Sequence, residues 1–408
     1  MEKIVITGMG SVTPVGIGVE NYWKSLISGV SGIDMIKSFD ASGLPVRFAG
    51  EIKDFNAADY LSRDLIKNTD PFMQYAYVAA KEAIEQSKLD IDPDRTGVVM
   101  GTAMSGVSGI ASAQEEITLS PGKKVGPRFM PKILGNIAAA HIAINYNIHG
   151  PSMTVSTACS SGGDAINVAC MLIKAGKMDA AVVVGAESIL SPLMINALST
   201  VSALSQRNDE PDKSCRPFDV SRDGFVIGEG GGALIIETEE SAKARGANII
   251  AEICGCGNTC DAFHVMAPHP EGKGAIACIK AALSDAGIDS SCIGYVNAHG
   301  TATHKGDISE ATAIKAVFGE KLPLVSSTKS ATGHMMGAGG ITETIACIKA
   351  VTSGIVPPTL NLENVDEECG GVDFVPKTAR KADVKYAMSN AFGFGGQNSS
   401  IIVGRYDG

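Results

Sequence analysis

Short runs of β-branched and apolar residues alternate along this chain with longer stretches whose apolar residues recur at helical spacing. Gly97-Val98-Val99-Met100 and Ala180-Ala181-Val182-Val183-Val184 are apolar throughout, the pattern of strands covered on both faces. Ile293–Asn297 and Leu324–Ser327 repeat it in the second half, and Met1-Glu2-Lys3-Ile4-Val5-Ile6 enters a strand at once. Asp70-Pro71 opens a helix, with Asp as N-cap, Pro in the first position, and Tyr75, Val78, Ala79 and Ala83 following. Further helices are predicted over residues 273–286, 309–317 and 340–351. This alternation predicts an α/β protein with a mostly parallel, covered sheet. The second half repeats the rhythm of the first, although identity between the halves is too low to prove a duplication.

Composition narrows the class. The chain has 408 residues, enough for two subdomains or one large α/β unit. It is 45% hydrophobic with 47 glycines, as in a compact enzyme with many tight turns. A net charge of −10 argues against nucleic acid as partner, and no basic stretch suits a membrane surface. No apolar run approaches the length of a membrane span, and the N-terminus carries an acid where a signal peptide is basic. Ten cysteines without the spacing of a small secreted scaffold read as reduced thiols. A cytoplasmic protein is expected.

One cysteine and two histidines stand out. Cys159 lies in Ser156-Thr157-Ala158-Cys159-Ser160-Ser161-Gly162, between the strand Ser152–Ser156 and a helix carrying Ile166, Val168, Ala169, Leu172 and Ile173. A helix N-terminus there favours thiolate over thiol. His299, in Asn297-Ala298-His299-Gly300-Thr301-Ala302-Thr303, and His334, after Lys329-Ser330-Ala331-Thr332-Gly333, each follow a short β-type run. Singly, such residues are more often packing or loop residues. Together, at strand ends where α/β proteins assemble sites, they form an acyl-transfer constellation. Lys329 and Glu343 stand among small residues, a setting for a buried, mutually stabilising pair.

Two other patterns weigh less. Gly8-Met9-Gly10-Ser11-Val12-Thr13-Pro14 lacks the third glycine of a dinucleotide fingerprint and reads as a structural turn. Cys254, Cys256, Cys260 and His264 lack the doubled thiol spacing of a zinc ribbon, so no metal is expected.

These motifs, with Val5-Ile6-Thr7-Gly8-Met9-Gly10, Arg216-Pro217-Phe218-Asp219, Arg222-Asp223-Gly224-Phe225-Val226 and Asn390-Ala391-Phe392-Gly393-Phe394-Gly395-Gly396-Gln397-Asn398, run nearly end to end. In that order the chain resembles the elongating β-ketoacyl-[acyl-carrier-protein] synthases, most closely type II. The resemblance implies a thiolase-like fold of two similar α/β halves, layered α-β-α-β-α. Residues 1–250 would hold the Cys nucleophile and 251–408 the two catalytic His.

The resemblance also assigns roles. Lys329 and Glu343 would support the histidines. The N–H groups of Cys159 and Phe394 would form an oxyanion hole, with the Phe394 ring gating the acyl pocket. Thr301 and Thr303 would bind the phosphopantetheine arm, Met104 would lie at the distal end of the acyl pocket, and Asp261-Ala262-Phe263-His264 would line the entrance. Lys67, Lys123, Lys124 and Arg207 would dock an acidic acyl carrier protein, although Asp64 and Asn68 stand where the family is often basic. A homodimer is implied, and the chemistry requires no redox or metal cofactor. A polyketide ketosynthase is the nearest alternative. A chain-length-factor partner would have lost the nucleophile, and Cys159 is present.

Overall fold

The computed structural model describes residues 3–408; Met1 and Glu2, where the first predicted strand starts, lie outside the described residues. Ten of the twelve strands of the central sheet build its core. They are β1 Ile4–Thr13, β2 Thr96–Gly101, β3 Ser152–Val155, β4 Ala180–Glu187 and β5 Gly230–Thr238, then β6 Ala251–Cys260, β7 Ile293–Asn297, β8 Leu324–Ser326, β9 Tyr386–Phe392 and β10 Gln397–Gly404. The first five lie in the order β3-β2-β4-β5-β1 and the last five in the order β8-β7-β9-β10-β6.

Each half therefore places its strands third, second, fourth, fifth, first. In each, the second strand runs parallel to the third and fourth, and the fifth antiparallel to the fourth and first. The same order twice reveals two similar halves that residue identity does not. They join where β1 meets β6 through the antiparallel pairs Ile4–Ile253, Val5–Glu252 and Ile6–Ala251.

The sheet is mixed rather than mostly parallel. A strand covered on both faces reads as an apolar run in either direction, so the sequence pattern carries no information on polarity. Only the connections do, and an antiparallel neighbour needs no crossover helix. The turn from β9 to β10 is the four residues between Phe392 and Gln397.

Five helices complete the layers: α1 Pro71–Ser87, α2 Ser161–Lys174, α3 Lys273–Ala286, α4 His304–Phe318 and α5 Gly339–Ser353. The Asp70 side chain caps α1 by accepting from the Phe72 N–H, and α1 covers β1, β4 and β5 from outside. On the other outer face α3 packs on β6 and β10, with α4 against α3. Between the two halves of the sheet, α2 and α5 touch one another and strands of both halves. That position explains why α5 is buried almost throughout its length. The glycines at 8 and 10 are not a turn but part of β1. A Cβ at either would collide with the Ala83 or Ala79 carbonyl of α1, so only glycine lets helix and strand approach this closely. The turn follows at Pro14-Val15.

Candidate active site

The site collects the carboxyl ends of strands from both halves. Cys159 lies between β3 and α2 in a short 3-10 turn, Ala158–Ser160. Ala158 holds a left-handed φ of 51°, a cost for a non-glycine residue that turns the cysteine inward. His299 follows β7 by two residues; His334 follows β8 and the single-turn helix Lys329–Thr332. Phe394 occupies the β9–β10 turn. A Cβ on Gly393 would lie 2.9 Å from the Thr157 carbonyl oxygen and 3.2 Å from the Cys159 nitrogen, so glycine lets the two turns touch.

These elements bring the three side chains into contact. His334 Nε2 is 2.9 Å from Cys159 Sγ. The His299 and His334 rings are 5.3 Å apart between centroids and nearly perpendicular, at 86°. Phe225 meets His334 edge-on at 5.5 Å, and Phe392 lies 6.0 Å from His299. All three residues open onto a pocket of about 90 Å³, lined also by Thr301, Thr303, Phe394, Met336 and Asp261. Phe394, on the wall of this pocket, is 38% exposed.

Burial dominates the electrostatics. It pushes the Cys159 thiol up to about 11, against opposing pulls from the Phe394 backbone N–H and the Lys329 cation. Burial thus opposes the thiolate that the helix N-terminus favours. Burial, and then the Lys329 cation, hold His299 and His334 well below the usual imidazole range. Both rings are neutral at physiological pH, each with one N–H to donate. Lys329 is only 1% exposed and donates to Glu343 Oε1, pairing two charges each of which would be costly to bury alone.

Supporting residues without a sequence signal appear as well. Glu310, on α4, accepts the backbone N–H groups of His299 and Gly300 and the Asn390 side-chain amide. Asp164, on α2, accepts from the Thr157 and Ser160 hydroxyls on either side of Cys159, and from Asn258 on β6. Glu310 works on backbone N–H groups and a distant amide, and Asp164 on two nearby hydroxyls and the distant Asn258, partnerships that no motif records. The Thr301 and Thr303 hydroxyls are 3.0 Å apart on the pocket wall.

Other expected residues lie elsewhere. Met104 is 43% exposed and does not line the pocket, although its neighbours Ala103 and Val107 pack on the apolar cluster containing Cys159. Phe263 and His264 are exposed beside the mouth. Among the four basic residues, Lys123 is paired with Glu116 at 2.8 Å, and Arg207 donates to the Ser221 carbonyl and faces Asp223 at 3.5 Å. Lys67 lies in the last turn of the helix Arg63–Asn68, and Lys124 is exposed. Cys254, Cys256 and Cys260 belong to β6, and His264 Nδ1 accepts the N–H groups of Met266 and Ala267. Among the described residues, ligand-type side chains gather instead at Cys159, His299 and His334, and at His304, Asp366 and Glu368. No helix among the described residues is long and apolar enough to cross a membrane.

A buried cysteine against two neutral histidines, where two like halves meet, defines a thiolase-like acyl-transfer enzyme. Residues 1–242 match the family described as "Beta-ketoacyl synthase, N-terminal domain", and residues 250–363 "Beta-ketoacyl synthase, C-terminal domain". The chain belongs to the β-ketoacyl synthase family of condensing acyltransferases.

It is 42% identical to 3-oxoacyl-[acyl-carrier-protein] synthase 2 of Vibrio harveyi, covering 98% of each chain. It is 41% identical to the enzyme of that name from Staphylococcus aureus, covering 100% of this chain and 99% of the relative. A β-ketoacyl synthase from Burkholderia phymatum superposes with a TM-score of 0.92 at 35% identity, covering 100% of both chains. The ishigamide ketosynthase/chain length factor does so with a TM-score of 0.94 at 33% identity, covering 99% of both. A type II polyketide ketosynthase in complex with its acyl-carrier protein superposes with a TM-score of 0.91 at 31% identity, covering 100% of both chains.

Proposed function

We propose that the protein is an elongating 3-oxoacyl-[acyl-carrier-protein] synthase of fatty-acid biosynthesis. The observation that carries this reading is the contact of Cys159 Sγ with His334 Nε2 at 2.9 Å, beside His299 in an apolar pocket. The Cys159 sulfur attacks the thioester carbonyl of an acyl carrier protein. The tetrahedral oxyanion lies against the N–H groups of Cys159 and Phe394, and collapse forms the acyl-cysteine. The thiol proton leaves with the carrier's sulfur, so the thiolate need exist only during attack.

Malonyl on a second carrier then loses CO₂. The electron pair of the broken C–C bond becomes an enolate, whose oxygen accepts from the neutral His299 and His334 N–H groups. The carbanion attacks the acyl-cysteine, Cys159 departs as thiolate and regains a proton, and a 3-oxoacyl chain two carbons longer leaves on the carrier. Lys329 and Glu343 keep the imidazoles neutral and in place. Thr301 and Thr303 hold the pantetheine arm on the tunnel wall.

In the same reading the partner is acyl carrier protein, which meets Lys67, Lys123, Lys124 and Arg207, and the working form is a cytoplasmic homodimer. Divided at residue 250, the nucleophile belongs to the first half and both histidines to the second. The likeness to polyketide ketosynthases supports a second reading, with a different acyl chain on the same chemistry. Incubation of malonyl carrier with either a saturated acyl carrier or a polyketonic acyl carrier separates these readings, since the first is elongated under the fatty-acid reading and the second under the polyketide one. The expected result is an acyl adduct on Cys159 by intact-mass analysis, followed by a product two carbons longer, both lost in Cys159→Ala. Elongation by Cys159→Ala within a few-fold of wild type sinks the assignment.

A further inference from the structure

Glu187, the last residue of β4, is fully buried, and no lysine or arginine pairs with it among the described residues. Its carboxylate is held by donors alone. Oε2 accepts the Ala103 N–H at 2.6 Å and the Gly337 N–H at 3.2 Å. Oε1 accepts the Met104 N–H at 3.0 Å and the Thr102 hydroxyl at 3.2 Å. One carboxylate thus ties the loop after β2 to the loop that begins at His334.

Those two loops bound the same apolar space. Ala103 and Val107 from the first, and Met336 from the second, pack in the cluster that contains Cys159 and Ile189. Packing at the joint is tight, since a Cβ on Gly337 would lie 2.8 Å from the Thr102 Cα and 2.9 Å from Glu187 Oε2. An acyl chain carried on Cys159 would start from within this cluster and run against its side chains.

We infer that Glu187 is a positioning residue that sets acyl-length selectivity, by clamping the 102–104 wall of the acyl space to the His334 loop. The inference rests on the acyl-transfer reading above. It makes a buried carboxylate at this point intelligible: four donors converge on two oxygens, and only an acceptor-only group satisfies them all. A glutamine there would turn an NH₂ against at least one N–H. The wall would then be released while Cys159, His299 and His334 keep their own partners.

The test compares wild type with Glu187→Gln on short, medium and long acyl carriers. Acylation of Cys159 is followed by mass, and malonyl decarboxylation is followed separately. The expected result is a flattened length profile, with the ratio of best to worst kcat/KM shrinking by about tenfold or more, the scale of a lost methylene contact. KM for the acyl carrier should carry the change, and decarboxylation with the preferred acyl chain should stay within about threefold of wild type. A fall of equal size at every length, or an unchanged profile, overturns the inference. If Glu187→Gln does not fold, Thr102→Val removes one of the four donors and is expected to flatten the profile in the same direction; an unchanged profile in that variant overturns the inference too. Failure of wild-type enzyme to acylate Cys159 would instead strike the functional reading.

Discussion

Replacing Lys329 with Met tests the electrostatic core of the site. Lys329 and Glu343 are both almost fully buried, and the lysine donates to Glu343 Oε1. Removing one partner of such a pair strands the other charge, at a cost of about 3–5 kcal/mol. That is about two to four powers of ten in the folding equilibrium, at about 1.4 kcal/mol per decade. Lys329→Met/Glu343→Gln removes both charges and should recover most of that loss, since an apolar or neutral pair of similar volume replaces a buried ion pair at little net cost.

Activity should not recover with stability. Burial first, and Lys329 second, hold His299 and His334 below the usual imidazole range. Without the cation only part of the depression remains, so both rings take up protons at higher pH than in the wild type. The acid limb of malonyl decarboxylation should therefore move to higher pH in the double variant. Urea denaturation followed by circular dichroism reads the stability, and CO₂ release against pH reads the imidazoles. A single variant as stable as wild type refutes the buried-pair argument, and a double variant with an unmoved acid limb refutes the electrostatic role of Lys329.

Because burial raises the Cys159 thiol to about 11, alkylation of free enzyme by iodoacetamide should accelerate with pH well beyond neutrality; a plateau near pH 7 would show a resting thiolate. His299→Ala and His334→Ala should each suppress malonyl decarboxylation more than acylation of Cys159, and equal loss of the two steps would point to thiol activation instead. Charge reversal of Lys123 and Lys124 to Glu should raise KM for acyl carrier protein and leave turnover of a small pantetheine thioester nearly unchanged. Lys124, unlike Lys123, has no acidic partner within ion-pair distance among the described residues, so it should carry most of that effect.

Some of this was legible before any coordinates. The Asp70-Pro71 start is where α1 begins, and residues 273–286 and 293–297 form a helix and a strand with the predicted bounds. The helix expected over 309–317 starts earlier, at His304, because His304-Lys305-Gly306-Asp307 carries no apolar periodicity. Strand direction was misread, since period and burial are the same for a strand and its reverse. Glu310, Asp164 and Glu187 carry no motif, because each accepts from backbone N–H groups or hydroxyls that only the folded chain aims at a carboxylate.

The sequence alone determined which segments are covered strands and helices, and which cysteine and histidines stand at strand ends among small residues. These follow from local rules, the periodicity of burial and the chemistry of turns, which act within a few residues. Tertiary structure decided what those rules cannot reach. It repeated one strand order in both halves, put α2 and α5 between the two halves of the sheet, and brought Cys159 to His334 across 175 positions of chain. It also set the burial that raises the Cys159 thiol, because desolvation depends on everything packed around a group, which no local rule reaches.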